Sequence, residues 1–133
     1  MHPPADPLRT LASYVPELSG ADDRWRLRVL LHDFGLVWQA TQVEGQAALL
    51  AEEPTPVGDA RWDAFLAAYA EHLAYHAGLP APGWALLPAR YLRRFWFPLT
   101  AAVPTLRVEA LVHAPGHFEA HGVLLARREL VVV

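Results

Sequence analysis

Histidines recur at four-residue spacing in two places: His72 and His76 in "EHLAYH", and His113, His117 and His121 in "HAPGHFEAH". Four residues is just over one helical turn, so imidazoles so placed project from one face and can grip one metal ion. A set drawn from His72, His76, His113, His117 and His121 would describe a small metal-dependent enzyme or a metal sensor. Two local features argue against it. Pro115 lacks an amide hydrogen and disfavours helical geometry at Ala114, and Gly116 loosens the backbone further, so the triplet need not share a face. His76 lies in the stripe of Tyr69 and Leu73 with His72 on its flank, where a histidine is more often a packed residue than a ligand. The chain is therefore expected to hold no resident metal. "HAPGHFEAH" reads instead as a corner in which Phe118 is buried, Gly122 lets the backbone leave, and His117 and His121 stay mostly at the surface.

Other chemistry is weaker. The hydroxyl residues Ser13, Ser19, Thr41, Thr55, Thr100 and Thr105 sit in no nucleophile elbow, and there is no G-x-S-x-G. Glu52, Glu53, Asp59 and Asp63 cluster around one loop, where a solvated helix end and an N-cap explain them better than an acid–base pair. No glycine loop could cradle a phosphate. A non-catalytic protein without a cofactor is the expectation. "ARYLRRFWF" interleaves Arg90, Arg93 and Arg94 with Tyr91, Phe95, Trp96 and Phe97, a pattern that can stack bases and meet phosphates. The net charge of −3 disfavours nucleic acid. The same residue types make protein–protein hot spots.

The scaffold that must carry these residues is small and apolar. A chain of 133 residues suits one domain, and a hydrophobic content of 53% against 19% charged implies a filled core with apolar surface to spare. The tryptophans Trp25, Trp38, Trp62, Trp84 and Trp96 strengthen that inference, since Trp suits positions with one buried edge. All basic residues are Arg, and Lys, Asn, Ile and Cys are absent, a bias expected of a GC-rich genome. "MHPPADPLRT" has neither the basic start nor the apolar run of a signal peptide, and no stretch has transmembrane length, so a cytoplasmic protein with no membrane partner is expected.

Helix signals run through the chain. Residues 1–5 read as disordered and 6–133 as one helical domain. Asp6-Pro7 reads as a helix start, with Leu8, Leu11, Val15 and Leu18 inward and "SG" as the stop. Asp22 or Asp23 starts a second helix with Leu27, Leu30, Leu31, Phe34, Val37, Trp38 and Thr41 on one face, Arg26 off it, and Gly35 a point where it can kink. "EGQAALLAEE" is a third. Asp59 caps a fourth, "ARWDAFLAAYAEHLAYHA", which Gly78 and Pro80 close. "LPAPGWALLP" cannot be regular helix and is expected to wrap the core with Trp84 as its anchor. Pro104 starts a further helix that ends before Pro115, and a single turn covers His117 to His121. The fold class is all-α: a bundle of about five to seven short helices, with a small β element allowed at the C-terminal end.

Several stretches in order, "LLAEEPTPVGDARWDAFLAAYAEHLA", "GLPAPGW", "RYLRRFWF" and "PTLRVEALVHAPGHFEAHGVLL", resemble a family of small proteins and domains of GC-rich bacteria over roughly residues 49 to 125. Such domains stand alone or follow a helix-turn-helix regulator, and are often encoded beside a nucleotidyltransferase-type toxin. The resemblance implies an antitoxin-like, non-catalytic module that neutralises or restrains such a partner by occluding its site. Trp62, Trp84, Arg93, Arg94, Trp96 and Phe118 are the expected core-edge or partner-binding anchors. The family's "L-D-R" reads Leu92-Arg93-Arg94 here, and His117 and His121 are not part of its last motif. No helix-turn-helix pattern precedes residue 49, so DNA-linked regulation is not expected. Pairing of the apolar surface with a second copy, as a homodimer, is the third reading.

Overall fold

Three helical segments start where a short polar side chain bonds a free amide at the first turn. The computed structural model describes residues 9–98 and 114–125. The Thr10 hydroxyl accepts from the Ser13 amide and opens a 3-10 turn, Leu11–Tyr14, which runs into α1, Val15–Leu18. Asp22 accepts from the Trp25 amide at 2.8 Å and starts α2, Asp23–Leu27. The chain then stays helical: a π-helical stretch, Arg28–Phe34, leads into α3, Gly35–Ala40. The disturbance expected at Gly35 thus takes the form of widened turns just ahead of it. After α4, Val43–Ala51, Asp59 caps α5, Ala60–His76, by accepting from the Arg61 amide at 3.0 Å. The proline-rich connection folds as two 3-10 turns, Gly83–Leu86 and Pro88–Arg90, and α6 is Gly116–Ala120.

The described residues are all-α. Among them the β content is a single parallel bridge between Trp96 and Val123, and no helix is long and apolar enough to cross a membrane. The expectations for residues 1–5, for Asp6-Pro7, for the helix from Pro104 to His113 and for the chain from Ala126 onward lie outside the described residues.

α5 is the axle of the core. Every residue from Ala64 to Ala70 is buried, so the helix is covered on all sides rather than along one stripe. Its alanines let neighbours approach, and its large side chains build an aromatic chain. Trp62 meets Phe65 at 5.0 Å between ring centroids and Trp96 at 5.1 Å. Phe118 meets Phe65 at 5.4 Å, and Phe34 joins Tyr69 at 6.2 Å and Tyr14 at 5.8 Å. Burial pushes the Tyr69 phenol far above its ordinary range. Trp84 is the anchor that its sequence context predicts: its indole is buried and donates to the Leu50 carbonyl at 2.8 Å. Arg26, off the apolar face of its helix, is nonetheless buried, donating from Nε to the Leu18 carbonyl at 2.9 Å and standing near Asp23 and Asp59. Its partners cancel the cost of burying the guanidinium.

α5 and α6 end in the same way. At α5 the Leu79 amide bonds the Ala74 carbonyl and the Gly78 amide bonds that of Tyr75. At α6 the Val123 amide bonds the Phe118 carbonyl and the Gly122 amide bonds that of Glu119. Both are Schellman motifs, which require a left-handed residue, and the glycines supply it at φ 72° and 85°. Gly122 carries a second constraint: a Cβ there would stand 2.9 Å from the Leu92 Cβ, whereas one at Gly78 would meet nothing. Gly78→Ala should therefore cost about 1 kcal/mol from backbone strain alone, and Gly122→Ala clearly more, as read from urea unfolding midpoints at equal slope. The Asp59 cap gives a pH signature. The side-chain bond from Arg61 holds its carboxyl below the ordinary value of 3.8. Its contribution is fully present above that value and fades as pH falls through the lower folded one. Asp59→Ala should cost about 1 kcal/mol near neutral pH, and the gap to the parent chain should close in acid.

Candidate functional site

The last turns of α5 leave the core, and the start of α6 lies against them. Between them is a cavity of about 450 Å³ lined by His72, Tyr75, His76, Pro115, Gly116 and His117. The His72 and His76 rings stand 4.4 Å apart at 63°, as residues one helical turn apart should. His72 also rests on buried Phe118, at 5.5 Å. Tyr75 is 68% exposed and meets the His117 ring at 5.2 Å.

Behind the cavity lies a buried polar chain. Glu71 is the last residue of the buried run of α5 and takes a histidine on each oxygen. Its Oε1 is 2.5 Å from His121 Nε2 and its Oε2 is 3.0 Å from His117 Nδ1. His121 is wholly buried, and its Nδ1 lies 2.6 Å from the Arg90 carbonyl. A carbonyl only accepts, so His121 Nδ1 carries a hydrogen and donates. Its Nε2 faces Glu71 Oε1, so both ring nitrogens are held. With Glu71 accepting on Oε2, His117 donates from Nδ1, and in the neutral imidazole its Nε2 keeps a lone pair. That nitrogen is on the ring edge opposite Glu71, in a side chain that lines the cavity. A carboxylate behind an imidazole fixes the orientation of the ring. Tyr91 closes over His121, ring centroids 4.0 Å apart and near parallel. Burial, and next the charge of Glu71, push the Tyr91 phenol up.

Of the histidines singled out in the sequence, His72, His76 and His117 converge on the cavity. His121 is drawn into the core, and His113 lies outside the described residues. Two expectations are corrected. His121 is not at the surface, because Glu71 and the Arg90 carbonyl satisfy both its ring nitrogens. His76 is not a packed core residue: the core ends near Ala74, and the last turn of α5 is exposed. Among the described residues no three histidine, aspartate or glutamate side chains are grouped to hold a metal ion.

The loop carboxylates have the structural roles expected of them. Asp63 accepts from the Val57 amide at 2.8 Å, Asp59 caps α5, and Glu53 stands 3.6 Å from Arg90. Arg90 itself is no rim arginine. It is buried beneath the 3-10 turns, donates to the Pro54 and Asp63 carbonyls at 2.7 and 3.1 Å, and lies over the Trp84 ring.

No family model, curated protein or solved structure matches this chain. The surface must therefore be read from its own residues. Trp62 and Phe118 are wholly buried and Trp84 nearly so, which makes them core residues rather than partner anchors. Each is claimed by the aromatic chain or by the Leu50 bond. Arg93 and Arg94 are exposed, and Trp96 is partly covered, packed against Trp62 and capped by Arg61 at 5.0 Å. Leu86, Leu87, Tyr91 and Phe95, not singled out as anchors from the sequence, are exposed along the same stretch. Glu71 was equally inconspicuous; its one signal is an ionisable residue closing an alanine-rich run with no polar break. Removing that carboxylate leaves His121 buried without its partner, so Glu71→Ala should cost about 3 kcal/mol or more in urea unfolding.

Proposed function

We propose that this chain is a non-catalytic protein-binding module of antitoxin type, cytoplasmic and bacterial, which restrains a partner protein by covering it. The observation that carries the reading is the stretch from Leu86 to Phe95. Leu86 is 53% exposed, Leu87 43% and Phe95 63%, with Tyr91 also in reach of solvent and Arg93 and Arg94 exposed among them. Large apolar side chains interleaved with arginines are the composition of interface hot spots. The backbone beneath them is held from inside by Trp84 and Arg90, so the surface is presented in one shape and little ordering is required on binding. The arginine pair suits a partner with an acidic rim. The sequence resemblance supplies its class, a nucleotidyltransferase-type toxin encoded alongside.

Co-expression with the product of the neighbouring gene, followed by pull-down and calorimetry, tests this. The parent chain should co-purify with that protein and relieve its toxicity. Phe95→Ala with Arg93→Glu should weaken the complex about 30-fold, or about 2 kcal/mol, with unchanged melting of the free chain. No co-purification, or equal affinity of the variant, would overturn the reading. Dimerisation that rises with concentration in light scattering and vanishes in the same variant would assign the surface to self-pairing instead.

A further inference from the structure

None of the Leu86–Phe95 side chains lines the cavity between α5 and α6. Its walls are flat π surfaces: the His72 and His76 rings, the Tyr75 phenol and the His117 imidazole. Pro115 and Gly116 complete the lining, and Gly116 adds no side chain. Its volume of about 450 Å³ lies within the range of small-molecule sites, which combine mostly apolar or aromatic walls with a few fixed polar atoms. One polar atom here is fixed by the structure rather than by chance. Glu71 accepts from His117 Nδ1, which leaves Nε2 of the neutral ring as a hydrogen-bond acceptor.

These features select the ligand chemistry. An anion is disfavoured, because it would meet the Nε2 lone pair with the Glu71 carboxylate directly behind it. A metal ion is disfavoured, because the described donors are not grouped around one point. A flat donor suits the site: it stacks on an aromatic wall and gives one hydrogen to Nε2. We propose that this cavity binds a small planar nitrogen heterocycle bearing a ring N–H, of about nucleobase size, stacked on Tyr75 and donating to His117 Nε2.

The test uses the full chain, with benzimidazole and 1-methylbenzimidazole as probes in saturation-transfer NMR and calorimetry. The two have nearly the same shape and stacking surface, but the second has no ring N–H. Benzimidazole should bind, and 1-methylbenzimidazole should bind about tenfold more weakly, as loss of one hydrogen bond predicts. Tyr75→Ala, at an exposed position that the core does not use, should weaken benzimidazole several-fold, and Tyr75→Phe should restore it. His117→Phe should abolish the difference between the two probes; a melting curve shows whether that variant is folded, and the Tyr75 pair decides the matter if it is not. Equal binding of the two probes, or no effect of Tyr75→Ala, would overturn the proposal. So would zinc chloride binding in calorimetry with no benzimidazole binding, which would make the cavity a metal site.

Discussion

A carboxylate inside a helix core must be neutralised from elsewhere in the chain, and in this protein that requirement decides where the C-terminal segment lies. Glu71 falls at the end of the run of α5 that is buried on all sides. Left alone, its charge would cost several kcal/mol. His121 answers it from 50 residues away, with one ring nitrogen on the carboxylate and the other on the Arg90 carbonyl. His117 takes the other oxygen. Those three contacts place α6 across α5, and Phe118 between the two histidines then fills the apolar gap against Phe65 and Tyr69. A hydrophobic core alone tolerates sliding of one helix over another; hydrogen bonds to fixed ring nitrogens do not.

The same chain of contacts reaches the outer surface. Arg90 ties the loop after α4 to the body of α5 through the Pro54 and Asp63 carbonyls, while its own carbonyl is held by His121. The next residues, Tyr91 to Trp96, are pinned by the Leu92 amide on the His121 carbonyl and the Trp96 amide on that of Gly122. The exposed arginine and aromatic side chains therefore stand on backbone fastened at both ends. Gly122 permits this: the Leu92 side chain and carbonyl lie where any Cβ at that position would fall.

Much of this was legible in the sequence because its causes are local. Asp22, Asp59, Gly78 and Gly122 act on backbone groups within a few residues, and each sits where cap chemistry puts it. Trp84 amid prolines could only be an anchor, since a buried indole needs both apolar cover and an acceptor. The buried polar chain was not legible. Glu71 and His121 look like surface residues until they are brought together, and nothing within a helical turn of either announces the other. The burial of Arg90 and Arg26 was not legible for the same reason: their carbonyl partners come from other turns of the chain. The tryptophans mislead in the opposite direction. Their number implies surface to spare, yet Trp62 and Trp84 are spent inside, and beside Trp25 the exposed apolar area belongs to smaller side chains such as Leu36, Tyr75, Leu86, Leu87 and Phe95.

Pro115 shows how one local rule can be right and its consequence missed. A proline there bars one unbroken helix through residues 113 to 121, so a three-histidine face is not available. But α6 begins at the very next residue. Within α6 the four-residue spacing of His117 and His121 keeps its meaning, and both rings reach one side. What they grip is the Glu71 carboxylate. The two then differ because α6 crosses the edge of the core: His121 is sealed beneath Tyr91, while His117, one turn earlier, stays half-open on the cavity wall. The contact that makes the inner histidine a structural clamp has its counterpart in the one that orients the outer ring, so one buried carboxylate both holds the fold and positions a side chain of the cavity beside it.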